Sequence, residues 1–191
     1  MIKAYIFDLN GVFLKSEYLT KRISDRWGVD VEKVMKVLNN SMDIVRQPNA
    51  PKIFDLWKDN LKEWGVEING DEFLQWWFSG EQLQQEIVDL CKKLKEKGFK
   101  VFILSNNFRE RTNYYRNNFP EIFDAVDNAY FSWETGFVKP SQEAFKHVLK
   151  ENHLHPEDVV YIDDSEKNLY IAKGLGIETD VDLQALINEN K

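Results

Sequence analysis

The chain has 191 residues, of which 43% are hydrophobic and 30% charged, with a net charge of −7. That length suits one domain, or one domain plus an insertion, and the composition is that of a globular protein, not a disordered one. The acidic balance disfavours nucleic acid and anionic membranes as partners, the single cysteine (Cys91) excludes an internal disulfide and a Cys-based zinc site, and three histidines (His147, His153 and His155) argue against a His-rich metal centre.

The first strand-like segment is Ala4-Tyr5-Ile6-Phe7, a short apolar run of β-formers closed by Asp8. It reads as a fully buried parallel strand. The run is too short for a signal peptide, and no stretch reaches the ~20 apolar residues of a membrane span. A cytoplasmic, reduced setting is the expectation. Residues 16–80 carry helical spacing and no convincing strand: Ile23/Trp27, Val31/Val34/Leu38, Ile53/Leu56/Trp57/Leu61/Trp64 and Phe73/Leu74/Trp77. Five of the six tryptophans fall there, which points to a small helical core, with a minority of the rings free to line a pocket. Gln47-Pro48-Asn49-Ala50-Pro51 reads as a turn between two of these helices.

Residues 81–97 place Leu83, Ile87, Leu90, Cys91 and Leu94 on one helical stripe, stopped by Gly98. Cys91 on that stripe reads as a core filler, not a nucleophile. Val101-Phe102-Ile103-Leu104 is a second strand, ended by Ser105-Asn106-Asn107. A helix over 141–150 follows Pro140. Val159-Val160-Tyr161-Ile162 is a third strand, ended by Asp163-Asp164-Ser165, and a helix from Ser165 through Ala172 closes at Gly174 and Gly176. His147 sits on a helix, and His153 and His155 flank a surface turn. This rhythm predicts an α/β fold: a doubly wound (Rossmann-like) parallel sheet over residues 1–15 and 81–191, with 16–80 inserted as a helical cap. In such sheets the loops after the strand ends converge on one crevice, so polar clusters far apart in sequence are expected to meet.

Four clusters are candidates for that crevice. Asp8 ends the first strand with Asn10-Gly11 beyond it, placed to act as a nucleophile or metal ligand, or simply as a strand cap with a turn. Ser105 and Asn106 offer a hydroxyl and backbone N–H groups to an anionic oxygen, and are equally ordinary helix caps. Lys139 precedes Pro140 and is held extended, where a fixed ammonium could neutralise a phosphate and a carboxylate together, though a lone Lys is more often solvated surface. Asp163-Asp164 are adjacent acids at the end of an apolar strand, an arrangement that a hard divalent cation would explain and a helix cap would explain less well.

In order and spacing, Asp8-x-Asn10-Gly11-Val12, Ser105-Asn106, Lys139-Pro140 and Asp163-Asp164-Ser165-x-x-Asn168 resemble the four motifs of the haloacid dehalogenase-like hydrolase superfamily, from residue 4 to about 177. The helical block resembles that family's small cap, and the fourth motif is most similar to its phosphatase branches. The resemblance implies a Mg²⁺-dependent phosphatase acting on a small phosphorylated metabolite. Asp8 would form an aspartyl-phosphate. Mg²⁺ would be ligated by Asp8, the backbone carbonyl of Asn10 and Asp164, with Asp163 direct or through water. Lys139, Ser105 and the Asn106 N–H would hold the phosphate oxygens.

One position departs from that pattern. Family phosphatases carry a second Asp two residues after the nucleophile, as proton donor to the leaving oxygen and acceptor from water. Here it is Asn10, which keeps the shape but cannot exchange a proton in that way. A phosphatase with an engineered or naturally impaired acid–base position is the first reading. A dehalogenase is an alternative, because that branch also lacks the acid, but it needs no Mg²⁺ and would leave Asp163 and Asp164 unexplained. A catalytically silent relative that binds a phosphorylated metabolite is another, and a sugar-phosphate mutase would need the same missing acid.

Overall fold

The computed structural model describes residues 1–190. In chain order its elements are β1 (Ala4–Phe7), β2 (Leu14–Ser16), α1 (Leu19–Trp27), α2 (Val31–Val45), α3 (Ile53–Glu63), α4 (Gly70–Phe78), β3 (Glu81–Leu83), α5 (Gln85–Glu96), β4 (Lys100–Ser105), α6 (Arg109–Asn118), α7 (Pro120–Asp124), β5 (Asn128–Phe131), α8 (Ser132–Thr135), α9 (Gln142–Glu151), β6 (Val159–Ile162), α10 (Glu166–Gly174) and α11 (Leu183–Glu189).

The strands β5-β4-β1-β6 form one parallel sheet with β1 in the interior. β1 and β6 are apolar at every position, and β4 from Val101 to Leu104, because both faces of the sheet are covered. Tyr5, Phe7, Val101, Ile103, Val160 and Ile162 pack on one side with Ile87, Cys91 and Leu94 of α5. Ala4, Ile6, Phe102, Leu104, Val159 and Tyr161 pack on the other, against Phe145 and Val148 of α9 and Ala172 of α10. The chain leaves β1 for β4 and β5 on one side and returns to β6 on the other. The reversal of strand order therefore falls at β1, where a crevice forms beyond the strand ends.

Helices α1–α4 lie between β2 and β3, which pair antiparallel as a short two-stranded stem. Local signals start these helices. Asp30 accepts from the N–H groups of Glu32 and Lys33 at the head of α2, and Asn69 with Glu72 makes a capping box on α4. Their apolar faces close on a separate core that includes Ile23, Val34, Ile53, Trp57, Leu61 and Phe73. Residues 81–97, expected to be one helix, divide into β3 and α5. Glu81 to Leu83 are drawn into the stem by pairing with Leu14 to Ser16. No helix among the described residues is long and apolar enough to cross a membrane.

Candidate active site

Asp8 stands one residue past β1, and its N–H donates to the Ile162 carbonyl at 2.8 Å, which ties it to the end of β6. Its Oδ1 accepts from the Leu9 N–H at 2.7 Å and lies 3.0 Å from Lys139 Nζ. Oδ2 takes neither bond. Lys139 is 4% exposed, and its ammonium also donates to Asp163 Oδ2 at 2.7 Å and to the Tyr161 hydroxyl at 2.9 Å. A buried ammonium is tolerable only when it is bonded in this way. The backbone of Lys139 is fixed from β4: Asn106 Nδ2 donates to its carbonyl at 2.7 Å, and its N–H donates to Asn106 Oδ1 at 2.8 Å. The Asn106 side chain therefore positions the lysine, a task beyond the N–H role expected for it.

Both oxygens of Asp163 are occupied. Oδ1 accepts from the Ser165 N–H at 2.7 Å, and Oδ2 accepts from Lys139, from Asn168 Nδ2 at 2.9 Å and from the Tyr161 hydroxyl. Burial pushes its pKa up, but the Lys139 charge and these hydrogen bonds outweigh it, so the net shift is down. Asp8 moves the other way. Burial dominates, the neighbouring Asp163 charge adds to it, and Lys139 only partly offsets the rise. Asp164 is raised by burial and by Asp163. Ligand oxygens of Asp8, Asp163 and Asp164 lie within 4.8 Å of one another. Three carboxylates this close repel each other, and an oxygen-seeking divalent cation relieves that repulsion.

The backbone is shaped to let this happen. Gly11 has φ +96°, and a Cβ there would lie 2.1 Å from Asp164 Oδ2. Only glycine lets the loop after β1 pass under the Asp164 carboxylate. Ser105, at the end of β4 beside β1, is 2% exposed, and its Oγ has no hydrogen-bond partner among the described residues. A buried orphan hydroxyl costs about 1–3 kcal/mol, so it calls for a partner that the protein itself does not supply.

Asn10 is held at both ends of its amide. Nδ2 donates to the Tyr115 hydroxyl at 2.7 Å, and Oδ1 accepts from Asn107 Nδ2 at 3.2 Å. Beyond Tyr115 lies a buried ion pair. Arg111 donates through Nε to Glu81 Oε1 at 3.0 Å and through Nη2 to Ser16 Oγ at 2.9 Å, which joins α6 to the β2–β3 stem. A cleft of about 800 Å³ opens over Asn10, Gly11 and Asp164, lined also by Leu38 and Met42 of α2, by Arg46 just after it and by Trp77 of α4.

The seven residues singled out from the sequence (Asp8, Asn10, Ser105, Asn106, Lys139, Asp163 and Asp164) thus lie at the ends of β1, β4 and β6 and in the loop before α9. Tyr161 and Arg111 were not among them. A tyrosine inside a buried strand, two residues before the acids, is the only sequence signal for Tyr161, since its hydroxyl must find a partner. Arg111 has the look of an ordinary helix-surface cation. His153 and His155 are exposed, and His147 packs its ring on Phe137 and Tyr130.

Residues 2–176 match a family model described as haloacid dehalogenase-like hydrolase. The D-ribitol-5-phosphate phosphatase of Bacteroides thetaiotaomicron is 27% identical over 121 residues, which is 60% of this chain and 58% of that enzyme. The chain thus spans little more than half the length of that relative. Among solved structures, a HAD family enzyme of Bacteroides thetaiotaomicron in its magnesium complex superposes with a TM-score of 0.78 at 25% identity, covering 97% of this chain and 98% of that one. A variant of that enzyme holding magnesium and inorganic phosphate gives a TM-score of 0.75 at 26% identity, over 97% and 99%.

Proposed function

The chain belongs to the haloacid dehalogenase-like hydrolases, and on that premise we propose that it is a Mg²⁺-dependent phosphatase of a small phosphorylated metabolite, working through an aspartyl-phosphate on Asp8, with helices α1–α4 (within 16–80) as a cap over the core of residues 1–15 and 81–191. The observation that carries this reading is the buried Lys139 ammonium bridging Asp8 and Asp163 beside the unpartnered Ser105 hydroxyl. Phosphoryl transfer needs charge neutralisation and positioning above all, and this arrangement supplies both.

The donor set fits the metal. Asp8, Asp164 and the Asn10 carbonyl would hold Mg²⁺, and Asp163, with both oxygens already bonded, would reach it through water. Bound there, the ion would offset negative charge on the transferring group. Asp8 Oδ2, free of the bonds that fix Oδ1, attacks phosphorus in line as the ester P–O bond breaks, and the leaving alkoxide takes its proton from water, since Asn10 has none to give. Water then attacks the aspartyl-phosphate at phosphorus, releasing inorganic phosphate and the Asp8 carboxylate. Lys139, Ser105 Oγ and the Asn106 N–H hold the equatorial oxygens.

Two measurements test this. Calorimetric titration with Mg²⁺ should show binding that weakens at least about tenfold in Asp164→Ala, since even outer partners of a bound metal carry that much. Unchanged affinity would remove Asp164 from the site. Ser105→Ala should weaken competitive inhibition by inorganic phosphate about tenfold, as expected for losing a hydrogen bond to a charged group. The same change should leave the thermal midpoint of the free protein unchanged or raised, because an orphan hydroxyl is removed. A lowered midpoint with unchanged phosphate inhibition would assign Ser105 to the core alone. Asn10 is the one feature that favours dehalogenation instead. A Mg²⁺-independent release of halide from a haloacid, with no phosphatase activity, would select that reading.

A further inference from the structure

The cleft carries a cation that the phosphatase reading does not use. Arg46 follows α2 and lines the same cleft as Asn10, Gly11 and Asp164, and its Nε is buried without a hydrogen-bond partner. Its guanidinium makes no ion pair among the described residues. It feels the charges of Asp8 and Arg111 across the cleft, and burial, followed by the Arg111 charge, holds its pKa below the ordinary arginine value. The other charges along the walls are mostly balanced. Arg111 is paired with Glu81, and Glu17 with Arg22 at 3.2 Å. Asp43 attracts Arg46 but is exposed and makes no bond to it. Lys15 stands unpaired at the exposed rim.

A planar fork of donors whose Nε is buried and unpartnered is matched by a carboxylate or a phosphate better than by a neutral group. A neutral polyol would leave this half-buried guanidinium without a charged partner. We infer that Arg46 is a specificity residue for a second anionic group at the end of the substrate remote from the transferred phosphate. The substrate class is then a phosphomonoester with an anionic tail, not a phosphorylated sugar alcohol. This rests on the phosphatase reading for the placement of the first phosphate over Asp8, and the cleft of about 800 Å³ is roomy enough for a ligand of several carbons between the two.

The test is binding by calorimetry in the presence of Mg²⁺, with three esters that differ only in the tail: glycerol 3-phosphate (neutral), 3-phosphoglycerate (carboxylate) and glycerol 1,3-bisphosphate (phosphate). At least one anionic ester should bind the unaltered protein at least about tenfold tighter than glycerol phosphate, and the stronger of the two identifies the tail. In Arg46→Met that preference should fall to about one. Arg46→Lys, which keeps the charge but loses the fork, should retain part of it and serves as the control for folding. Equal binding of all three, no binding of any, or a preference that survives in Arg46→Met overturns the inference. Turnover is read separately. An Arg46-dependent preference without hydrolysis leaves the subsite standing and the phosphatase reading fallen, whereas hydrolysis without preference does the reverse.

Discussion

Asp8→Asn should lower kcat on any phosphate monoester by at least about 10⁴-fold, the scale seen when a covalent nucleophile is removed from machinery that acts as a unit. The amide keeps the size of the side chain and can still accept from the Leu9 N–H, so the fold is expected to survive. Stability should move the other way from activity. Burial raises the pKa of Asp8, with Asp163 adding to the rise. For an acid whose pKa is higher in the folded state, the associated stability is fully present below the unfolded pKa and is lost as pH rises through the folded one. Near neutral pH the ionised Asp8 is therefore a liability in the metal-free protein, and the neutral amide removes it. The metal-free thermal midpoint of Asp8→Asn should exceed that of the parent at neutral pH, and the gap should close in acid. Mg²⁺ should raise the midpoint of the parent more than that of the variant. Retained turnover would take the nucleophile away from Asp8. A midpoint that falls at neutral pH would show that the Lys139 attraction outweighs burial at this carboxylate.

The parts of the fold legible in the sequence are those where local pattern and tertiary environment agree. β1, β6 and the Val101–Leu104 stretch of β4 are apolar at every position because both faces are covered, and a run of four such residues ended by a polar cluster carries that information by itself. β5 is an edge strand that begins on Asn128, and four residues of mixed character carry no period. The stem was illegible for a different reason. Glu81 is buried in β3, and the partners that make that acceptable, the Arg111 guanidinium and the Ser16 hydroxyl, come from thirty and sixty-five positions away. The candidate site was legible from the order of its motifs more than from any one residue, since each motif alone also reads as a cap. Tyr161 and Arg46 escaped because their meaning lies in partners brought by the fold: a lysine and an aspartate for the one, an unfilled cleft for the other.

Asn10→Asp should raise kcat by about 10²–10⁴-fold, the usual range for general acid–base catalysis, with little change in substrate affinity wherever chemistry limits turnover. The surroundings of residue 10 allow the exchange. Asn107 Nδ2 already donates to Oδ1 and would donate equally to a carboxylate. Tyr115 at present accepts from Asn10 Nδ2, but burial raises its pKa, so its hydroxyl keeps its proton and can turn from Glu81 to donate to a carboxylate at residue 10. A carboxylate at that position would also face Asp8 and Asp164 across the same loop, and like charges raise a pKa toward the value a general acid needs. The gain should be largest for alkyl esters, whose alkoxide cannot leave unprotonated. An aryl phosphate departs without help, so its first step should gain little. In the parent protein its aspartyl-phosphate should accumulate as a burst, because the attacking water still lacks a base. The measurement is kcat on one alkyl and one aryl phosphate for both forms, with a burst-phase experiment on the aryl ester. Equal rates for both forms on both esters would show that residue 10 is not the position through which the proton passes.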